Sequence, residues 1–379
     1  MLKKVIRKTH LWLGLSSGLV VFIVAITGCL YAFQFEIKNL LYDYIHVAPQ
    51  QLEILPPSKI KEIADQQLPG KHLHGVQYLG TDKSAKAIYY SFAEKYYYFV
   101  YVNPYSGDVL KVKNEYADFF RIVLDGHFYL WLPPNIGQPL VASFTLIFLI
   151  MIISGLFLWW PRKKKGRKKS FKIKWNARWR RKNYDLHSVI GFYVAFVAII
   201  FALTGLIWGF EWFRDGLHTA VGGKKSLEYI APNSQIDSLK ATVTNPVDLL
   251  WERTVAQYPQ AASIEAHFPN NEQAPILMEV NHEVDTYWKM DYLYYDQYSL
   301  KQLEVDHIYG QLKNADSADK LIRMNYDIHT GAILGFVGKL FAFLCSLLIA
   351  TLPVTGFLIW IGRRNKTKNR KNHSVKVVS

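Results

Sequence analysis

Four histidines stand at corresponding ends of four apolar stretches. His10 and His187 open the first and third, and His127 and His329 precede the second and fourth. Imidazole is a metal ligand, and ionisable groups beside a bilayer are costly enough to be read as functional by default. If the first and third stretches cross in one direction and the second and fourth in the other, His10 and His187 fall near one membrane face and His127 and His329 near the other. Two imidazoles from facing helices supply both axial ligands of a haem iron. The placement is what a pair of bis-histidine haems, one near each leaflet, requires. The plainer reading of any one of these histidines is an interfacial anchor. Matched positions in both halves of the chain favour the ligand reading.

The elements that must position these residues are membrane spans. A helix crosses a hydrocarbon core with roughly 20 apolar residues, and four stretches qualify: Leu11–Phe35, Leu140–Trp160, Val189–Phe213 and Phe336–Ile361. Their ends carry Trp159, Trp160, Trp208, Trp212 and Trp360, as interfacial aromatic belts do. Half of the 379 residues are apolar. The net charge of +15 is unevenly spread, for 24 of the 45 Lys and Arg lie in residues 1–9, 161–183 and 362–379, which hold no acidic residue. This is the positive-inside pattern, with both termini and the middle loop cytoplasmic. The basic loop reads as a topology and anionic-lipid determinant, so nucleic acid is not an expected partner.

The chain also reads as a parallel internal duplication. His10 and His187, Gly14 and Gly191, Thr27 and Thr204, and Gly28 and Gly205 all stand 177 positions apart. Gly137 and Gly338, Gly155 and Gly356, Trp159 and Trp360, and Arg162 and Arg363 stand 201 apart, with a one-residue gap between His127 and His329. The expected fold is thus membrane α-helical, a four-span bundle with two small α+β periplasmic domains. The expected order is a cytoplasmic N-terminus and first span (1–36), a first outer domain (37–137), a second span (138–161), a basic loop (162–185), a third span (186–213), a second outer domain (214–335), a fourth span (336–361) and a basic tail (362–379). Within the outer domains the pattern predicts a helix at Pro57–Gln67, with Ser58 as a cap, and strands at Ala87–Phe92, Tyr96–Val102 and Val109–Val112. The second domain repeats the order with a helix at Pro246–Tyr258 and strands at Ile276–Val280, Thr286–Met290 and Tyr292–Asp296.

Small residues flank the inner histidines. Gly14 and Gly18 share a helix face with His10, and Gly191 and Ala195 share one with His187, which would let a porphyrin approach the backbone. Arg7, Arg180 and Arg181, and on the other side Arg121 and Arg323, could pair with propionates or act as ordinary anchors. His72-x-His74 has metal-binding spacing if it lies on a strand, although a solvated loop is the simpler reading. Cys29 and Cys345 fall within spans and define no disulfide framework. Ile26-Thr27-Gly28-Cys29 looks like a lipoprotein cleavage box, but the pair recurs as Thr204-Gly205 and Thr355-Gly356, which points instead to close helix packing.

The segments RKTHLWLGLSSGLVVFIVAITG and DLHSVIGFYVAFVAIIFALTG resemble the spans of the PepSY-associated transmembrane family, which includes iron-regulated inner-membrane proteins and ferric-siderophore reductases. VYVNPYSGDVL resembles the C-terminal hairpin of a PepSY domain, and YLYYDQYSLKQLEV a second copy that departs from it at Gln297-Tyr298-Ser299, where a glycine-containing turn is expected. The resemblance implies a haem b core passing electrons outward to a ferric siderophore or other ferric chelate in the periplasm. Carried over by position, the axial ligands are His10, His187, His127 and His329. No Rossmann glycine fingerprint or P-loop occurs, so the donor would be a quinol or a separate cytoplasmic reductase. A non-enzymatic PepSY-domain sensor or protease regulator, without cofactor, is the alternative. A transporter fits less well, since Pro353 is the one candidate kink in the spans.

Overall fold

The computed structural model describes residues 1–161, 170–235 and 244–376, with side chains as far as Arg364. The chain divides into two compact units: one of residues 1–33, 123–214 and 328–379, the other of residues 34–122 and 215–327.

The first unit is helical. Leu2–Tyr31, Pro134–Trp159 and Trp179–Gly209 are long and apolar enough to cross a membrane, as is the stretch Ala332–Arg364 within and just before the helix Gly335–Lys376. Each span packs on the next in sequence, and the fourth closes on the first, so the four form a ring. Small residues permit this. Ala25, Val194, Ala198 and Ala350 are buried around Ile349, and without a hydrophobic drive between helices in lipid, such close backbone approach supplies the packing.

Two short helices, Phe119–Tyr129 and Asn325–Thr330, carry His127 and His329 to the bundle. Each is followed by a tight reversal before the next span. Leu130 and Trp131 both take left-handed φ after the first, and Gly331 does so after the second. The start of each span then leans on that reversal through a glycine. A Cβ on Gly137 would stand 2.2 Å from the Tyr129 carbonyl oxygen, and one on Gly338 2.1 Å from that of Gly331. No side chain fits at either contact.

The second unit is one antiparallel sheet of eight strands: β1 (Leu73–Tyr78), β2 (Ala85–Ser91), β3 (Tyr96–Val102), β4 (Val109–Asn114), β5 (Ser263–His267), β6 (Ile276–Asn281), β7 (Met290–Tyr295) and β8 (Gln302–Leu303). The order is β4-β3-β2-β1-β5-β6-β7-β8. The two segments read from sequence as separate domains therefore share a sheet, joined where β1 pairs with β5 through Gly75–His267 and Gln77–Glu265. Helices Pro57–Gln67 and Pro246–Gln257 cover one face, burying Ile60, Ala64, Leu250 and Trp251 against Val76, Val100, Met278 and Leu293. Ser58 does not cap its own helix. Its N–H and hydroxyl donate to Asp248 of the other helix at 2.8 and 2.5 Å.

Two local departures have clear causes. Residues 286–289, expected as strand, form a turn because the buried Asp327 carboxylate accepts the N–H groups of Tyr287 and Trp288 at 3.1 and 3.0 Å, which takes those donors out of any ladder. The turn after β7 closes without glycine. Asp296 Oδ1 accepts from the N–H groups of Tyr298 and Ser299, as Asn103 Oδ1 does from Tyr105 and Ser106. Leu300 takes the left-handed φ of 57° that Gly107 takes, at 82°, in the first turn.

Candidate functional site

Each of the four histidines sits on a hydroxyl-glycine pair of a neighbouring span. His10 Nδ1 lies 2.8 Å from Ser154 Oγ, and His187 Nδ1 lies 2.9 Å from Thr355 Oγ1. His127 Nδ1 is 3.2 Å from Thr27 Oγ1, and His329 Nδ1 is 2.7 Å from Thr204 Oγ1. The residue after each hydroxyl is a glycine. A Cβ added at Gly155, Gly356, Gly28 or Gly205 would stand 3.3, 3.2, 3.2 or 4.0 Å from Cε1 of the imidazole it receives. The recurring Thr-Gly pairs, expected as helix-packing contacts, have a more specific partner. What they pack against is a histidine.

Proton accounting assigns a tautomer. Thr27, Thr204 and Thr355 donate their hydroxyl hydrogens to Ile23, Ile200 and Thr351 carbonyls at 2.8, 2.7 and 2.9 Å, and Ser154 donates to Met151 at 2.9 Å. A hydroxyl has one hydrogen, so toward the histidine it accepts, and Nδ1 carries the proton. His127 makes the point twice, because its Nδ1 also lies 2.9 Å from the Val24 carbonyl, which can only accept. A neutral ring protonated at Nδ1 keeps its lone pair on Nε2. Among the described residues no hydrogen bond reaches that nitrogen in any of the four. A ligating histidine is held in this way, one nitrogen fixed by a second partner and the other open.

The pairs then follow from the ring of spans. His10 on the first span is seated by the second, and His187 on the third by the fourth. At the opposite end of the bundle, His127 is seated by the first span and His329 by the third. Their ring centroids stand 6.1 Å apart with 73° between planes. Imidazole nitrogens bind first-row metals at about 2 Å, so two rings on opposite sides of one metal would stand roughly 6 Å apart, centre to centre. Phe201 and Trp208 pack on His329 at 5.6 and 5.3 Å. From His10 to Thr27 the first span rises roughly 25 Å at 1.5 Å per residue, so the two pairs occupy separate ends.

Other expected residues are placed differently. Gly14, Gly18 and Gly191 face Met151 Cε, Pro353 Cβ and Leu352 Cδ2, which a Cβ at each would meet at 3.2, 3.5 and 3.7 Å. They serve helix contacts, with only the flexible Met151 tip able to yield readily. Arg181 is paired with Asp185 at 2.8 Å. Arg323 belongs to the sheet unit, where it donates to the Met290 and Gly310 carbonyls and lies over the Tyr292 ring. Arg121 lies near the Tyr116 ring at 5.9 Å. Arg7 and Arg180 are exposed. The basic residues 162–169 lie outside the described residues. Cys29 and Cys345 are buried free thiols.

The family model for the PepSY-associated TM region matches residues 7–363. No protein of curated function matches the chain.

Proposed function

The chain belongs to the PepSY-associated transmembrane family and is a membrane protein with four candidate spans; from that premise we propose that it is a dihaem b electron-transfer protein. In this reading it resides in a bacterial inner membrane and reduces a ferric siderophore or other ferric chelate in the periplasm. The observation that carries the reading is the seat built four times over, which fixes Nδ1 of each imidazole and, among the described residues, leaves Nε2 without a hydrogen-bond partner, two rings at each end of one bundle.

The donor set fits the group. His10 and His187 would hold one iron, and His127 and His329 the other. When bound, haem supplies one-electron redox chemistry at an iron whose potential its surroundings tune. The chain's own contribution is orientation and exclusion. Ser154, Thr355, Thr27 and Thr204 fix each ring's rotation by accepting its Nδ1 hydrogen, and the hydrogen bond raises the basicity of the opposite nitrogen. Glycines bring each ring close to a neighbouring backbone. The apolar lining around Ala198 and Ile349 keeps water from the interior and lowers the local dielectric.

We read the architecture as a parallel duplication. Thr27-Gly28 and Thr204-Gly205 seat His127 and His329, and Ser154-Gly155 and Thr355-Gly356 seat His10 and His187, so the halves make equivalent contacts in equivalent places. The basic segments orient both termini to the cytoplasm and the sheet segments to the periplasm. Electrons would come from a quinol or a separate cytoplasmic reductase, and the lipid bilayer is the protein's medium.

The test is the absorption spectrum of the detergent-purified chain. A Soret band that shifts and sharp α and β bands that appear on dithionite reduction, the α and β bands being lost again when a ferric chelate is added after excess dithionite has been removed, is the expected result. A colourless protein expressed with ample haem supply would remove the reading and favour a cofactor-free sensor.

A further inference from the structure

The sheet unit holds a second group of metal-ligating side chains where β1 meets β5, far in sequence from the four bundle histidines. His74, Glu265 and His267 present ligand atoms all within 4.8 Å of one another. The His74 and His267 rings stand 4.7 Å apart, nearly perpendicular at 86°. His267 Nε2 lies 3.5 Å from Glu265 Oε1 and 3.4 Å from Glu279 Oε1, yet it is a buried nitrogen with no hydrogen-bond partner.

Strand alternation alone would not assemble this group. On β5, Glu265 and His267 share a face because they are two residues apart, and Glu279 of β6 joins them directly opposite Glu265. On β1, Leu73 and Val76 are in the core on the other side of the sheet. The register between β1 and β2 slips between Leu73 and Gly75, so His74 is the extra residue of a β-bulge. Bulges re-aim side chains, and they cluster beside functional sites. Here the bulge puts both His74 and Gly75 on the face of Glu265 and His267. Gly75 leaves the space they need, since a Cβ there would stand 3.1 Å from both Glu265 Oε1 and the Ala266 carbonyl oxygen. Gln77 Nε2 then donates to Glu265 Oε2 at 2.9 Å and orients the carboxylate.

We propose that His74, His267 and Glu265 bind a divalent first-row transition-metal ion, with Glu279 beside them. Two imidazoles and one carboxylate form a set used for open zinc and non-haem iron(II) sites, in which a further position is left to water or a ligand. Lys86, whose charge bears on Glu265, offsets one of the two carboxylates, and the ion would replace a bare ion pair at His267. His74 is exposed, so an ion can reach the group from solvent. The proposal concerns the sheet unit and does not depend on haem in the bundle.

Zinc chloride and cobalt(II) chloride are the probes, titrated into the full-length chain in detergent after chelator treatment. Wild type should bind one zinc ion more per chain than His74→Ala, and cobalt(II) should give visible ligand-field bands that His74→Ala lacks. Gln77→Ala should weaken zinc about 10–100-fold, the usual cost of removing an orienting partner. His74→Ala removes an exposed side chain and leaves all four bundle histidines in place, so the difference reports this site alone. A zinc-dependent rise in unfolding temperature in wild type that His74→Ala does not show would support the site independently. Equal zinc binding by the two proteins, or none by either, overturns the proposal and leaves His267 as an ion pair between two glutamates.

Discussion

His187 gives its Nδ1 hydrogen to Thr355 Oγ1 at 2.9 Å, and Thr355 passes its own to the Thr351 carbonyl at 2.9 Å. With its hydrogen given to that carbonyl, the hydroxyl is left to accept from the imidazole. Thr355→Val keeps the shape and removes the acceptor. It should weaken haem retention at the His10–His187 end about 10–100-fold, whereas Thr355→Ser should be close to wild type. Competition with a haem-scavenging apoprotein, read at the Soret band, measures this.

The glycine beneath each ring gives a steric test. At Gly356 and Gly155 a Cβ would already stand 3.2 and 3.3 Å from the imidazole, and a whole side chain must displace it. Gly356→Leu should lose the haem held by His10 and His187 and retain the other, while Gly28→Leu should do the reverse. The haem content of the purified variants, each near half of wild type, checks the assignment.

Much of this arrangement is legible in the sequence because membrane spans and their charge asymmetry are strong signals. The helix Pro57–Gln67 and the strand Tyr96–Val102 fall where pattern and turn residues predict them. The strands β1 and β5 do not announce themselves. LHGVQY and SIEAH carry His, Gln and Glu on the face that gathers the polar cluster, so their alternation is between core and site rather than core and solvent. The seats were half visible, since Thr-Gly recurs in three spans and Gly155 aligns with Gly356. Only coordinates say what rests on a glycine, because pairing Ser154 with His10 bridges 144 positions. The turn at Leu300 was illegible for a related reason. A leucine in left-handed backbone is disfavoured locally and is held there by the Asp296 side chain and by packing on the core.

That turn pair makes a prediction of its own. Gly107 adopts φ 82°, and a Cβ there would come 3.0 Å from Ile63 Cδ1. Left-handed backbone costs a residue with a Cβ about 1–2 kcal/mol, so Gly107→Ala should destabilise the sheet unit by about that much. The drop in its thermal unfolding midpoint, followed by tyrosine fluorescence, is the measurement.

Asp118 supplies a pH dependence. Burial alone would raise its pKa, but Lys113 at 2.6 Å and Lys38 at 3.0 Å outweigh burial and bring it down to about 2. A depressed carboxylate stabilises the fold fully above its unfolded value near 4, and the contribution fades as pH falls from about 4 to about 2. Its size at neutral pH is about 2 kcal/mol. Asp118→Asn should remove this part of the acid sensitivity, so a stability profile as steep as wild type between those pH values would argue against the ion-pair account.

The most direct measurement of the central claim is haem stoichiometry by pyridine haemochrome in four single variants, His10→Ala, His187→Ala, His127→Ala and His329→Ala. Wild type should hold two haems b and each variant one, with His10→Ala and His187→Ala sharing one residual spectrum and midpoint potential, and His127→Ala and His329→Ala sharing the other. Full haem content in any of the four, or residual spectra that group the variants differently, would contradict that claim.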